Sequence, residues 1–419
     1  MRRLVDEQLD ELLPILPAIA IEGAKGVGKT ATVTQRARDL FSLDRVATRT
    51  ILSDDPELIL SGHPVTFVDE WQRVPATWDV VRSAVDDGAA PGSFLLAGSA
   101  SPAPTASLHS GAGRIVRLMM RPMSLPERHI ETPTVSLHRL LSGEPSPIDG
   151  ATSLTTADYA AEILTSGFPG IRAATPKARG YLLDSYIERI VDHDIAEAGQ
   201  TVRRPESLLH WLTAYAAATA TTASYSSLLR AATPGEDTKP SQPTALQYRD
   251  LLQRIWVLDP VPAWIPGLAT LRSLGQAPKH HLVDPALAAR LLGATVDSLI
   301  KGDGPITAGG KGVFLGALFE SLTAQTVRVL AQTLGAKVSH LRTYSNHEVD
   351  LIVQRPDLKV VAIEVKLSSS VRPSDVAQLN WLEGQLPNLV IDKIIVNTGP
   401  RAYRRQDGVA VVPLALLGQ

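Results

Sequence analysis

The run Gly23-Ala24-Lys25-Gly26-Val27-Gly28-Lys29-Thr30 matches the phosphate-binding pattern G-x-x-x-x-G-K-[ST] at every position. Each position has a physical task. The glycines let backbone N–H groups turn inward around phosphate oxygens, Lys29 reaches toward β- and γ-phosphates, and Thr30 offers a hydroxyl to Mg²⁺. The flanks agree. Residues 17–22 (Pro-Ala-Ile-Ala-Ile-Glu) read as a short buried strand, and residues 31–40 read as a helix whose N-terminal dipole and free N–H groups face the anion. The expected nucleotide cradle is therefore Gly23, Ala24, Lys25, Gly26, Val27, Gly28, Lys29, Thr30 and Ala31.

The chain has 419 residues, enough for two to four domains. Its formal net charge is −2, so any nucleic-acid site must be a local patch and not a global field. The chain has no cysteine, which excludes disulfides, thiolate zinc sites and a cysteine nucleophile, and fits a reducing compartment. The first seven residues carry Asp6 and Glu7 where a signal peptide needs an apolar core. No apolar stretch approaches the roughly 20 residues that span a bilayer. The expectation is a cytoplasmic protein without a membrane partner.

A P-loop hydrolyses nothing without an acid at the end of a neighbouring strand. Residues 65–68 (Val-Thr-Phe-Val) read as a central strand ending in Asp69-Glu70. The first acid would hold Mg²⁺, and the second would orient and polarise the attacking water. A further apolar strand, 93–98, ends at Ser99, where a hydroxyl can meet the γ-phosphate or the water. This order of P-loop, acid pair and polar sensor resembles the AAA+ ATPases. More narrowly, the chain resembles a family of prokaryotic AAA ATPases, through Gly113-Arg114, a strand at 115–119 and Pro122-Met123-Ser124-Leu125-Pro126-Glu127. The resemblance makes Arg114 a candidate arginine finger or sensor, acting in cis or in trans; a structural Arg at a strand start is the competing reading. It also makes ATP and Mg²⁺ the expected cofactors.

Residues 129–158 are rich in Pro, Ser, Thr and Gly and read as a linker. The turn Gly167-Phe168-Pro169 and a helix over 177–198, with Tyr186 and Arg189, resemble the same ATPase family and are read as a helical lid or brace. Helices over 211–220, 224–232 and 242–254, followed by extended chain from Ile255, give the outline of a winged helix. Its reading helix would offer Ser241, Gln242, Gln247 and Arg249. Those residues are weakly basic, which favours a protein-facing or inter-domain module over a DNA reader.

In the last part, a helix over 315–334 carries Glu320. Strands at 338–344, 348–353 and 360–366 follow, with Asp350 on the second and Glu364 and Lys366 on one face of the third. Two acids and a lysine on one face suit metal-assisted phosphodiester cleavage. The arrangement resembles the PD-(D/E)XK nuclease superfamily, with Val349 in place of the proline and Gln378 on the following helix. By that resemblance Glu320, Asp350 and Glu364 would hold a metal ion and Lys366 would act beside it. His280, His281 and His347 receive no role.

The expected fold class is α/β: an N-terminal P-loop AAA+ parallel sheet with flanking helices (1–145), a helical and winged-helix middle (146–300), and a C-terminal α/β restriction-endonuclease-like domain (301–419). The expected function is a Mg²⁺-dependent ATPase coupled to a nuclease-like, DNA-acting end. The rival is an ATP-switched regulatory or antitoxin-like protein that docks a protein partner. The sequence leaves the oligomeric state open.

Overall fold

In the computed structural model, residues 2–100, 111–195, 204–232, 242–266, 277–302 and 312–419 are described. The strand β1 (Ala18–Glu22) is buried at every residue and apolar up to Glu22, as a central parallel strand covered on both faces requires. With β2 (Asp39–Ser42), β3 (Thr66–Asp69), β4 (Phe94–Gly98) and β5 (Val116–Met119) it forms a five-stranded sheet in the order β2-β3-β4-β1-β5. Every pairing is parallel. The strand carrying the acids and the strand carrying the P-loop are thus separated only by β4, which ends at the polar sensor.

The helix after the P-loop is shorter than expected. It spans Lys29–Thr34, and the expected helical residues Asp39 and Leu40 belong instead to β2. The edge of β3 supplies the reason. Its backbone groups need partners, and Leu40-Phe41 suits a half-buried strand, so sheet pairing overrides local helix propensity.

The middle region is helical: Thr156–Thr165, Pro169–Arg172, Pro176–Arg189 with a π-helical turn at Ile190–Asp194, then Pro205–Ala217, Tyr225–Ala232 and Gln242–Arg254. The last three are followed by antiparallel bridges, Leu258 with Leu282 and Val261 with Lys279. Ser241 lies outside the described residues.

The linker expected at 129–158 folds in part. Val135–Ser136 form β6, followed by the helix Leu137–Ser142, which buries Leu137, Leu140 and Leu141 at helical spacing. The helix packs on the C-terminal sheet, where Arg355 donates to the Leu141 carbonyl at 2.7 Å.

That sheet has six strands. The strands β7 (Lys337–Arg342), β8 (Glu348–Gln354) and β9 (Val360–Lys366) are antiparallel. Alongside β9, β10 (Val390–Asn397) and β12 (Ala410–Pro413) run parallel, with β11 (Tyr403–Arg404) antiparallel at the edge. A final strand, β13 (Leu417–Gly418), returns to pair with β6.

The helix Val313–Thr333 corrects one reading of the sequence: by length and composition it is long and apolar enough to cross a membrane. Here Leu318, Phe319, Leu322, Val327 and Leu330 are buried in the core. Its polar residues find internal partners, Glu320 with Lys279, Gln325 with the Val283 carbonyl, and Arg328 with Asp259.

Candidate nucleotide site and a second acidic cluster

The P-loop leaves β1 at Gly23. A side chain there is impossible, because a Cβ would lie 2.1 Å from the Met120 carbonyl oxygen at the end of β5. Gly28, with φ 106°, turns the chain into the helix Lys29–Thr34 and needs glycine's left-handed freedom. Lys29 is buried, and its ammonium donates to the carbonyls of Gly23 (2.8 Å) and Ala24 (3.0 Å). Burial lowers its pKa to about 8, against the pull of Glu70 and Asp69. The Thr30 hydroxyl donates to the Asp69 carboxylate at 3.0 and 3.2 Å. Asp69, the last residue of β3, is pushed up to about 6 by burial.

Glu70 sits in the left-handed region, with φ 56°, at the turn out of β3. Its carboxylate accepts from the Ser99 hydroxyl (2.7 Å) and from the Gln72 amide (2.5 Å), and Gln72 also donates to Ser99 at 3.2 Å. The structure thus brings Lys29, Thr30, Asp69, Glu70 and Ser99 to one edge of the sheet. Gln72 was not foreseen; it is only a polar residue two places beyond the acid pair.

Arg114 lies elsewhere. It precedes β5 and pairs with Asp86 at 2.8 Å, at the C-terminal end of the helix Ala76–Asp86. The P-loop sits at the C-terminal ends of the parallel strands and Arg114 at their N-terminal ends, so this arginine does not reach the P-loop of its own chain.

Three supports hold the loop. Glu127 of the Pro-Met-Ser-Leu-Pro-Glu stretch accepts from Arg3 (2.9 Å), the Leu4 amide (2.8 Å), and both the amide (2.8 Å) and hydroxyl (2.7 Å) of Ser124. Arg3 in turn donates to the Val27 carbonyl at 3.0 Å, from behind the loop. On the open side, Phe168 and Pro169 pack over Gly26 and Gly28, and the Tyr186 hydroxyl donates to the Lys25 carbonyl at 3.1 Å. Buried Asp284 fixes this turn by accepting from Ser166 (2.9 Å) and the Gly167 amide (2.7 Å). The helical region is therefore in direct contact with the P-loop.

A half-buried ion-pair junction joins all three parts of the chain. Arg121, just after β5, pairs with Asp259 of the middle region at 2.7 Å, and Arg328 of the helix Val313–Thr333 pairs with the same carboxylate at 2.9 Å. Although burial opposes ionisation, the two guanidiniums hold Asp259 down at about 2.

The C-terminal acids also converge. Asp350 lies on β8 beside β9, where its carboxylate accepts from the Val365 amide at 2.9 Å, and Glu364 binds Lys366 at 2.6 Å. The centre of the cluster is a buried lysine from the middle region. The Lys279 ammonium stands 2.9 Å from each of Glu320, Glu348 and Asp350. Burial and the neighbouring Asp350 charge push Glu320 and Glu364 up to about 8. Of the expected metal set, Glu320 and Asp350 are turned onto the Lys279 ammonium and Glu364 Oε1 onto Lys366, so a divalent ion bound by all three would have to displace an ammonium. Among the described residues no group of His, Asp or Glu is arranged to hold a metal. Lys279 carries no local sequence signal; it is 71 residues from Asp350. The Gln378 side-chain carbonyl accepts at 2.9 Å from Nδ1 of His347, whose ring stacks on Trp381.

The basic Arg249 of the expected reading helix stacks on Tyr225 and pairs with Asp250, and Arg342 at the end of β7 donates to Thr222.

Comparison with known proteins fits the P-loop geometry. Residues 16–129 match the model of the AAA domain. That stretch holds the P-loop, the acid pair and Ser99. Residues 156–298 match a domain of unknown function, DUF8612, and residues 315–417 match another, DUF4143. Uncharacterised proteins of Mycobacterium bovis and Mycobacterium tuberculosis are each 24% identical over 98% of this chain and 83% of their own length. Among solved structures, the Walker-type ATPase of Pyrococcus abyssi aligns with 68% of this chain and 94% of its own, at 15% identity and a TM-score of 0.39. The McrB AAA+ hexamer with bound McrC of Thermococcus gammatolerans aligns with 50% and 70%, at 12% identity and a TM-score of 0.19.

Proposed function

We propose that this chain binds ATP with Mg²⁺ and hydrolyses it, and passes its nucleotide state to the C-terminal domain. The observation that carries the first half is the pair of side-chain contacts at the C-terminal edge of the sheet, Thr30 to Asp69 and Ser99 to Glu70. In this reading the backbone of residues 23–31 holds the phosphates. Lys29 exchanges the Gly23 and Ala24 carbonyls for phosphate oxygens. Thr30 and Asp69 hold Mg²⁺, which neutralises developing phosphate charge. Glu70, aimed by Ser99 and Gln72, orients the attacking water. The open glycine cradle and the hydroxyl–carboxylate pair suit both groups. The second half is supported by the contacts of Tyr186 and Phe168 with the loop and by the Arg121–Asp259–Arg328 junction, which begins one residue beyond the Met120 carbonyl that touches Gly23.

Two uses of the C-terminal domain follow from its nuclease-like residue set: acting on DNA, or docking a protein partner as an ATP-switched regulatory or antitoxin-like module. The lysine at the centre of the acidic cluster and the engaged Arg249 and Arg342 favour docking. Phosphate release from ATP in the presence of Mg²⁺, measured beside Lys29→Ala, tests the ATPase. A wild-type protein with neither nucleotide binding nor turnover overturns it. Metal-dependent nicking of DNA that is lost in Lys366→Ala would restore the nuclease use.

A further inference from the structure

We infer that Lys279 is the resident cation of the C-terminal acidic cluster and takes the place a divalent metal ion would hold among the nuclease-like residues. The inference rests on the resemblance that groups Glu320, Asp350 and Glu364, and is independent of nucleotide chemistry at the P-loop.

The geometry carries it. Lys279 is 1% exposed; its ammonium donates to Glu320 and Asp350 at 2.9 Å each and stands 2.9 Å from a Glu348 carboxylate oxygen. An ammonium has three donors and no acceptor, so a setting of three carboxylates suits it. Both oxygens of Asp350 are engaged: Oδ1 accepts from Lys279 and Oδ2 from the Val365 amide. Lys366, the lysine foreseen for catalysis, is turned onto Glu364 Oε1. The remaining oxygen, Glu364 Oε2, is buried without a hydrogen-bond partner among the described residues. Mg²⁺ demands several oxygen ligands at about 2.1 Å around one point. Lys279 already bridges Glu320 and Asp350, two of the three carboxylates of that set, and a divalent ion bound by both would have to displace its ammonium.

The backbone explains why the lysine stays. Lys279 pairs with Val261 in both directions at 2.9 Å, and the adjoining His281 carbonyl accepts from Asp259, the residue of the inter-domain junction. The cluster is thus an ion-pair clasp between the middle region and the C-terminal sheet. Breaking one partner of a buried pair is costly, so the clasp favours the docked arrangement of these two parts.

The test is a Mn²⁺ titration of the full chain by electron paramagnetic resonance without nucleotide, where the P-loop acid lacks the phosphates that complete a metal site. Wild-type protein should bind no Mn²⁺ at this cluster. Lys279→Met should bind one Mn²⁺ per chain at least tenfold more tightly, and adding Asp350→Asn should abolish that gain. Should Lys279→Met not fold, Lys279→Met with Glu320→Gln removes one negative charge with the positive one and is read the same way. Wild-type Mn²⁺ binding that disappears in Asp350→Asn overturns the inference. So does a folded lysine variant that gains no metal. Neither result bears on ATP turnover, which separates this inference from the ATPase reading.

Discussion

Lys29 shows how a single charge can be stored ready for a ligand. Buried and lowered to about 8, it occupies the carbonyls of its own loop. Lys29→Ala should lose ATP-analogue binding by isothermal titration while the circular dichroism spectrum stays unchanged; wild-type affinity in the variant would refute the assignment. Glu70 differs from Asp69 although they are neighbours. Asp69 ends the strand and meets Thr30, whereas Glu70 is swung by its positive φ toward Ser99 and Gln72. Glu70→Gln should therefore keep nucleotide affinity and lose turnover by about 100-fold or more, the range of a lost proton-transfer group. Asp69→Asn should instead weaken Mg²⁺-dependent binding. Equal hydrolysis by both variants and the wild type would show that the acid pair plays no part.

Between elements, the Arg121–Asp259–Arg328 junction ties three parts of the chain by replacing water around three half-buried charges with one another. Asp259→Asn leaves two guanidiniums uncompensated and should cost about 3–5 kcal/mol, read as a lower urea midpoint. The pH dependence has a defined sign. The folded carboxyl, at about 2, lies below its ordinary 3.8, so its contribution is present in full above about pH 4 and disappears as pH falls through about 2. The shift corresponds to about 2 kcal/mol. Acid unfolding of the wild type should be steep across that window, and the same titration of Asp259→Asn should lack this component.

At the scale of the whole molecule, the P-loop touches the middle region through Tyr186 and Phe168, and the middle region clasps the C-terminal sheet through Lys279. A ligand that favours one arrangement of these contacts must be favoured by it in return. A C-terminal partner should therefore bind with different affinity in ADP and ATP-analogue states. For DNA as that partner, fluorescence anisotropy across a salt series should show weak, steeply salt-dependent binding, since the chain carries a net charge of −2 and two of its candidate arginines are engaged internally. Tight DNA binding at moderate salt that is identical in all nucleotide states would remove the coupling.

The residues at the nucleotide edge were legible because each belongs to a local pattern. A P-loop, an acid pair after a β-branched strand and a serine after an apolar strand determine by themselves that these groups meet, once parallel strands align their C-terminal ends. The same reasoning brought Asp350, Glu364 and Lys366 to one hairpin. Local pattern misjudged the edge strand β2 and the helix at 137–142, since each depends on which neighbour supplies backbone partners or an apolar face. It was silent on Lys279, Arg3 and Arg328. Long side chains from distant segments are brought to buried carboxylates only by tertiary packing, and no spacing in the chain records where a buried charge will find its counter-ion. The sequence by itself therefore determined what chemistry the P-loop edge can hold. Only the tertiary structure decided which cation fills the second acidic cluster, because desolvation makes that choice and burial exists only in the folded chain.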